Sequence, residues 1–152
     1  MKKVVFIFIV IFSISLCNEI CAQRLNSGIY FLSNDVINCS NILSELNYNK
    51  TYCVGNAPII SCYDFKEISD IYYGINSSLL EIKLTSTGQQ KLKVMQNAKI
   101  DIILGLVIYG KLFTTFEIKN TTDYSKIVIY EKFGSLDLVQ IRNSLKTIIE
   151  NK

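Results

Sequence analysis

The clearest pattern in the chain runs from Leu79 to Leu92, where an alternating arrangement gives way to a helical one within a few residues. Leu80, Ile82 and Leu84 fall on one face of an extended segment with Glu81 and Lys83 on the other, the period of a half-buried strand. Thr85 then stands where a hydroxyl caps the first turn of a helix that carries Leu92 and Met95 and runs to about Asn97. Gly88, three positions after that cap, is unhelpful to helix propensity, and so predicts close packing against a neighbouring backbone. Downstream, the continuous apolar run from Ile102 to Tyr109 predicts a central strand buried on both faces. A tight turn at Gly110-Lys111 leads into Leu112 to Ile118, a hairpin signal. After the breaker Asn120-Thr121-Thr122-Asp123, Lys126 to Tyr130 predicts another strand. Ser135 with Asp137 opens a last helix, in which Leu138, Ile141, Leu145, Ile148 and Ile149 recur on one face while Arg142, Lys146 and Glu150 face water.

The order strand, helix, strand, strand, strand, helix predicts an α+β fold: a mostly antiparallel sheet with two helices packed on one face. Residues 79–152 are read as that domain, and residues 23–78 as an N-terminal extension of strands and loops. Within the extension, Gly28 to Leu32 predicts a short opening strand. The stretch 38–57 is rich in Asn, Ser and Tyr and reads as a loop or a single helical turn, and Ile59 to Tyr63 after Pro58 as an edge-strand segment. Asp64 to Ile68 reads as a short turn, and Ile71 to Ile75 as either strand or connection.

The first 22 residues stand apart. Lys2 and Lys3 precede an apolar run from Val4 to Leu16, and small-residue cleavage after Ala22 gives the expectation of a secretory signal peptide, with an exported protein in the periplasm or at the cell surface. The run is shorter than the ~20 residues of a membrane-spanning helix, so no span is expected once the leader is removed. Lipidation at Cys17 or Cys21 is the rival, although Leu16 and Ile20 are poor residues directly before a lipidated cysteine. The formal net charge of +3 falls by one when Lys2, Lys3 and Glu19 leave, and no basic run is long enough to suggest a nucleic-acid partner.

Export leaves Cys39, Cys53 and Cys62 in an oxidising compartment. The turn Gly55-Asn56-Ala57-Pro58 makes Cys53 with Cys62 the first disulfide to consider; three buried free thiols are the alternative, and spacing does not choose between them. The chain has no histidine, which excludes Ser-His-Asp and Cys-His catalysis and leaves no zinc pattern. Carboxylate chemistry would fall to Asp64 with Glu67, or to Asp101 alone, and these read as solvated turn residues. Neither Gly105 nor Gly110 belongs to a phosphate loop. No catalytic residue, cofactor or metal is expected.

The blocks from residue 80 onward resemble a known family. Leu80-Glu81-Ile82-Lys83-Leu84-Thr85-Ser86-Thr87-Gly88-Gln89-Gln90-Lys91-Leu92 is similar to the Leu-Thr-x-x-Gly strand-to-helix passage in the head subdomain of the first periplasmic domain of SecD and SecDF. Leu104 to Leu112 resembles that family's hairpin around Asp-Gly-Lys, and Ile127 to Ser135 its approach to the closing helix. The chain departs at Phe116-Glu117-Ile118 and Tyr130-Glu131, where the family carries a proline and glycines, and it has no apolar span after the leader for a proton-driven motor. The resemblance implies a stand-alone head-like module whose landmarks are Leu84, Thr85, Gly88, Gly110 and Ser135.

Tyr48, Tyr52, Tyr63, Tyr72 and Tyr73 offer either an adaptable contact surface or, as the preferred expectation, rings packed against the sheet. The function expected is a non-enzymatic exported binding module that contacts exported polypeptide or a translocon or envelope partner, with strand addition at a sheet edge as its mode. The alternative is a secreted structural or inhibitory domain that binds one folded partner, unrelated to export.

Overall fold

The computed structural model describes residues 25–46, 48–97, 103–117, 123–132 and 137–152. The expected leader over residues 1–22, Asp101 and the landmark Ser135 lie outside them. The architecture is α+β, with antiparallel pairing between all its strands and two helices.

The alternation from residue 79 becomes β7 (Ser77–Leu84), whose Leu80, Ile82 and Leu84 are fully buried. On one side β7 pairs with β10 (Lys126–Lys132) along its whole length, from Lys126↔Lys83 to Lys132↔Ser77. On the other side β5 (Phe65–Ile68) and β6 (Tyr72–Tyr73) lie end to end, Phe65 opposite Leu84 and Tyr72 opposite Leu79. This sheet buries one face, as the pattern of single-faced alternation requires.

The remaining strands form a second sheet rather than extending the first. Its order is β2 (Ile42–Ser44), β3 (Thr51–Val54), β1 (Gly28–Ser33), β8 (Ile103–Ile108) and β9 (Lys111–Glu117), with β4 (Ile60–Ser61) also beside β1. The sheet curls until its ends meet. A parallel bridge joins Glu45 to Leu112, Leu46 N–H donates to Leu112 O at 3.0 Å, and Thr115 N–H donates to Glu45 Oε1 at 2.9 Å. Tyr30, Leu32, Tyr52, Val54, Val107 and Leu112 fill the inside of this roll. Gly105 faces the same interior, where an added Cβ would stand 2.6 Å from Leu112 Cδ1. The β8–β9 turn falls on Tyr109 and Gly110, one residue earlier than the pattern suggests, and both take the positive φ of 49° and 77° that a two-residue hairpin turn demands.

The outer side of the roll and the buried side of the other sheet share one core. Ile29, Leu104, Leu106 and Ile108 from the roll meet Leu80, Ile82, Leu84, Ile127 and Ile129. Helix α1 (Ser86–Asn97) adds Leu92 and Met95, and α2 (Leu138–Glu150) adds Leu138, Ile141 and Leu145. Both helices contact β7. Asp137 caps α2 by accepting from Gln140 N–H at 2.9 Å.

Three expectations are corrected. The stretch 38–57 contains two strands, β2 and β3, which are too short to leave a readable period. The separation of 23–78 from 79–152 marks no boundary in the sheets, since β1 lies between β3 and β8, and β5 and β6 pair with β7. The disulfide joins Cys39 to Cys53, with a Cα–Cα distance of 5.7 Å, and Cys62 is free. The reason lies on β1. Cys53 is opposite Ser33, whereas Ser61, next to Cys62, is opposite Gly28 on the same edge. Five strand residues separate those positions, about 16 Å at ~3.3 Å per residue, far beyond disulfide reach. Cys39, in contrast, lies three residues before Ile42, the register partner of Cys53.

Cys39→Ser or Cys53→Ser is therefore expected to reduce unfolding stability by about 3 kcal/mol in urea titration, the loop-closure value for a separation of this size. Cys62→Ser leaves the bridge intact, and alkylation of the native protein followed by peptide mapping should label Cys62 but neither bridged cysteine.

Candidate functional site

The surface built by the β7 sheet has two layers of organisation. Its outer face carries the positions that alternate with the buried leucines and isoleucines. One row across it reads Tyr72, Leu79, Tyr130, because both tyrosines are register partners of Leu79 on opposite edges of β7. Tyr72 is 55% exposed and Tyr130 68%. The next rows bear charge. Lys126 Nζ meets Glu81 Oε1 at 2.6 Å, and Lys83 Nζ meets Glu67 Oε2 at 3.0 Å. The hydrogen bond that Lys126 donates to Glu81 raises the pKa of its ammonium above the ordinary value, so an ion-paired strip lies beside an aromatic one.

The edges of this sheet differ. On the β5 side the backbone is occupied by side chains from the C-terminal part of the chain: Lys152 Nζ donates to Phe65 O, and Arg142 Nε donates to Ser69 O at 3.3 Å while its Nη2 reaches Asp70. On the β10 side no strand pairs with the outer edge among the described residues. An unpaired edge presents a row of N–H and C=O groups to any extended chain. Val128 and Tyr130 flank it on the outer face, with Ile127 and Ile129 buried on the inner.

The tyrosines singled out in the sequence divide. Tyr52 is 2% exposed inside the roll, while Tyr48, Tyr63, Tyr72 and Tyr73 are exposed, so the packing expectation applies to Tyr52. Tyr130 was not among them. Its signal was present, because alternation about Ile127 and Ile129 puts Lys126, Val128 and Tyr130 together on the opposite side.

Asp64 and Glu67 are engaged separately. Glu67 pairs with Lys83 on the outer face. Asp64, 5% exposed, accepts from Ser61 N–H at 2.8 Å, Ser61 Oγ at 3.0 Å and Lys91 Nζ at 2.7 Å. Burial pushes its pKa up, but the Lys91 and Ser61 hydrogen bonds outweigh burial and hold the carboxyl below its ordinary value of 3.8. The junction includes the strand-to-helix passage: Thr85 N–H donates to Asp64 O at 2.8 Å, and Thr85 Oγ1 accepts from Gly88 N–H at 3.3 Å. A Cβ on Gly88 would lie 3.0 Å from Asp64 O and 3.1 Å from Asp64 Cβ. These contacts make Asp64 a structural junction that fixes α1 against the start of β5.

A cleft of about 530 Å³ opens beside the start of β1 and the end of α2, lined by Ser27, Cys62, Tyr63, Tyr109, Ile148 and Lys152 among others. Its polar groups already serve neighbours: Ser27 Oγ accepts from Tyr109 N–H, and Lys152 holds Phe65 O. Among the described residues no group of three His, Cys, Asp or Glu is placed to hold a metal ion, and no helix is long and apolar enough to cross a membrane. No protein-family profile, curated relative or solved structure matches the chain.

Because the Asp64 pKa is depressed in the folded state, its contribution to stability is complete above the ordinary value of 3.8 and disappears as pH falls through the folded value. Asp64→Asn should cost about 1–3 kcal/mol at neutral pH, by removing the charge that holds Lys91 and exchanging one of the two acceptor oxygens for a donor NH2. Urea titrations across the acid range should show this variant losing less stability below that pH than the parent. Gly88→Val, which drives methyl groups into the Asp64 backbone, should cost about 1–3 kcal/mol or more in the same measurement.

Proposed function

We propose that this chain is a non-enzymatic, exported binding module that holds an extended segment of polypeptide by strand addition along β10. The observation that carries the reading is the edge of β10, open among the described residues, beside the row Tyr72, Leu79 and Tyr130, whose two tyrosines are exposed. Backbone hydrogen bonds to an open edge supply affinity for any extended chain, and flanking aromatic side chains supply contact area at low entropic cost. The leader-like N-terminus supports export, and the Cys39–Cys53 disulfide fits an oxidising compartment. The resemblance of Leu80 to Leu92 and the later blocks to the SecD and SecDF head supports contact with chains in transit across the envelope.

Purified protein mixed with unfolded exported chains is the direct test. Binding should slow amide exchange along residues 126–130, and Tyr130→Ala should weaken it about tenfold while leaving thermal stability unchanged. Recovery of one folded partner whose binding ignores Tyr130 would favour a structural or inhibitory domain and overturn this assignment.

A further inference from the structure

The β10 edge is also complementary to itself. We infer that, when no polypeptide occupies it, this edge pairs antiparallel with the same edge of a second copy of the chain about a two-fold axis at Val128. The inference rests on the reading that β10 is the open binding edge, and it commits to one occupant because the strand's own residues select the register.

In an antiparallel pair, opposed side chains share a face, so a two-fold axis normal to the sheet must pass through a residue for inner and outer faces to continue across the junction. Lys126, Val128 and Tyr130 are outer, since they oppose Lys83, Glu81 and Leu79; Ile127 and Ile129 are inner, since they oppose buried Ile82 and Leu80. An axis at Val128 sets Ile127 against Ile129 of the copy, Val128 against itself, and Lys126 against Tyr130 of the copy. The inner pairs extend the apolar face, and the outer pair sets a lysine stem and ammonium beside an aromatic ring. Moving the axis to Ile129 sets the buried, apolar Ile127 against the charged Glu131. Moving it the other way, to Ile127, sets Lys126 against Val128 and Ile129 against Ser125, which forfeits the isoleucine pair.

The Val128 register thus sets Val128 against itself and Ile127 against Ile129, while the Lys126 stem, its ammonium on Glu81, lies beside the neutral Tyr130 ring. The interface is isologous and closes on itself, so it ends at a dimer instead of continuing as a filament. It also removes the open edge from solvent, which a long unpaired strand otherwise leaves as an aggregation template. Incoming polypeptide and the second copy then compete for the same hydrogen-bonding groups.

The test is the oligomeric state of the purified protein by sedimentation velocity over a range of concentrations. The parent should pass from monomer to dimer as concentration rises. Val128→Lys and Val128→Glu each place like charges opposite one another on the axis and should each lose the dimer; mixing the two variants should restore it as a heterodimer. Circular dichroism melts of each variant check that the fold survives the change. A parent that stays monomeric at the highest concentration, or a dimer that neither charge variant weakens, overturns the self-pairing. Strand addition by polypeptide is read separately, from amide exchange along β10 of the monomer, so its failure and the failure of the dimer are distinct results.

Discussion

The Asp64 carboxylate is the point on which the two halves of the architecture depend. The chain leaves the roll at β4 and enters the β7 sheet at β5 with only the 3-10 turn Cys62–Asp64 between them. Within that turn one buried side chain ties Ser61, the last residue of β4, to Lys91 on α1, while the backbone carbonyl of the same residue receives Thr85. A carboxylate is suited to this position because it accepts several charge-assisted bonds at once, which offsets the cost of taking it out of water. Gly88 lets the helix come close enough for those bonds to form.

The longer elements were legible because their periods repeat enough times to be unambiguous. β7, α1, β8, β9, β10 and α2 follow the alternation or helical spacing written in the sequence, and the first buries the residues its pattern assigns. What could not be read was partnership. Alternation says which face a side chain takes, not which strand lies beside it, so the division of β7 and β10 from β8 and β9 into separate sheets left no mark in the pattern. β2, β3 and β6 have three, four and two residues, too few to display a period. The disulfide was hidden for a related reason: β3 and β4 are close in sequence but lie successively along the same edge of β1, which holds their cysteines apart. The candidate surface was half visible, with Tyr72 prominent in an aromatic stretch and Tyr130 concealed inside what read simply as a strand.

The two sheets treat their edges in opposite ways. The roll joins its first strand to its last, and on the β5 margin of the β7 sheet the carbonyls of Phe65 and of Ser69, just past β5, accept from Lys152 and Arg142. Proteins commonly blunt their edges by closure, by charge or by cover. Here β10 alone among the long strands is left without a described neighbour on one side, and it carries the exposed Tyr130, with Tyr72 across β7 from it. A strand of a packed sheet, unlike a loop, has a rigid backbone and a defined register. The ion pairs along the outer face add little stability, being exposed, yet they fix which positions around the tyrosines carry charge.

The seam that closes the roll has a mechanical meaning. Glu45 and Leu46 hold β9 through one short bridge and the Glu45 carboxylate, whereas every other junction in the roll is a paired strand. Sub-global opening starts where the fewest bonds must break together. With this seam parted, β2 and β3 stay laced together by their own pairing and by Cys39–Cys53, and β3 stays held to β1 at Leu32↔Val54 and Ser33↔Cys53. The seam is thus the one closure of the roll that rests on a single bridge and a side chain, and the sheet of β7 and β10 takes no part in it.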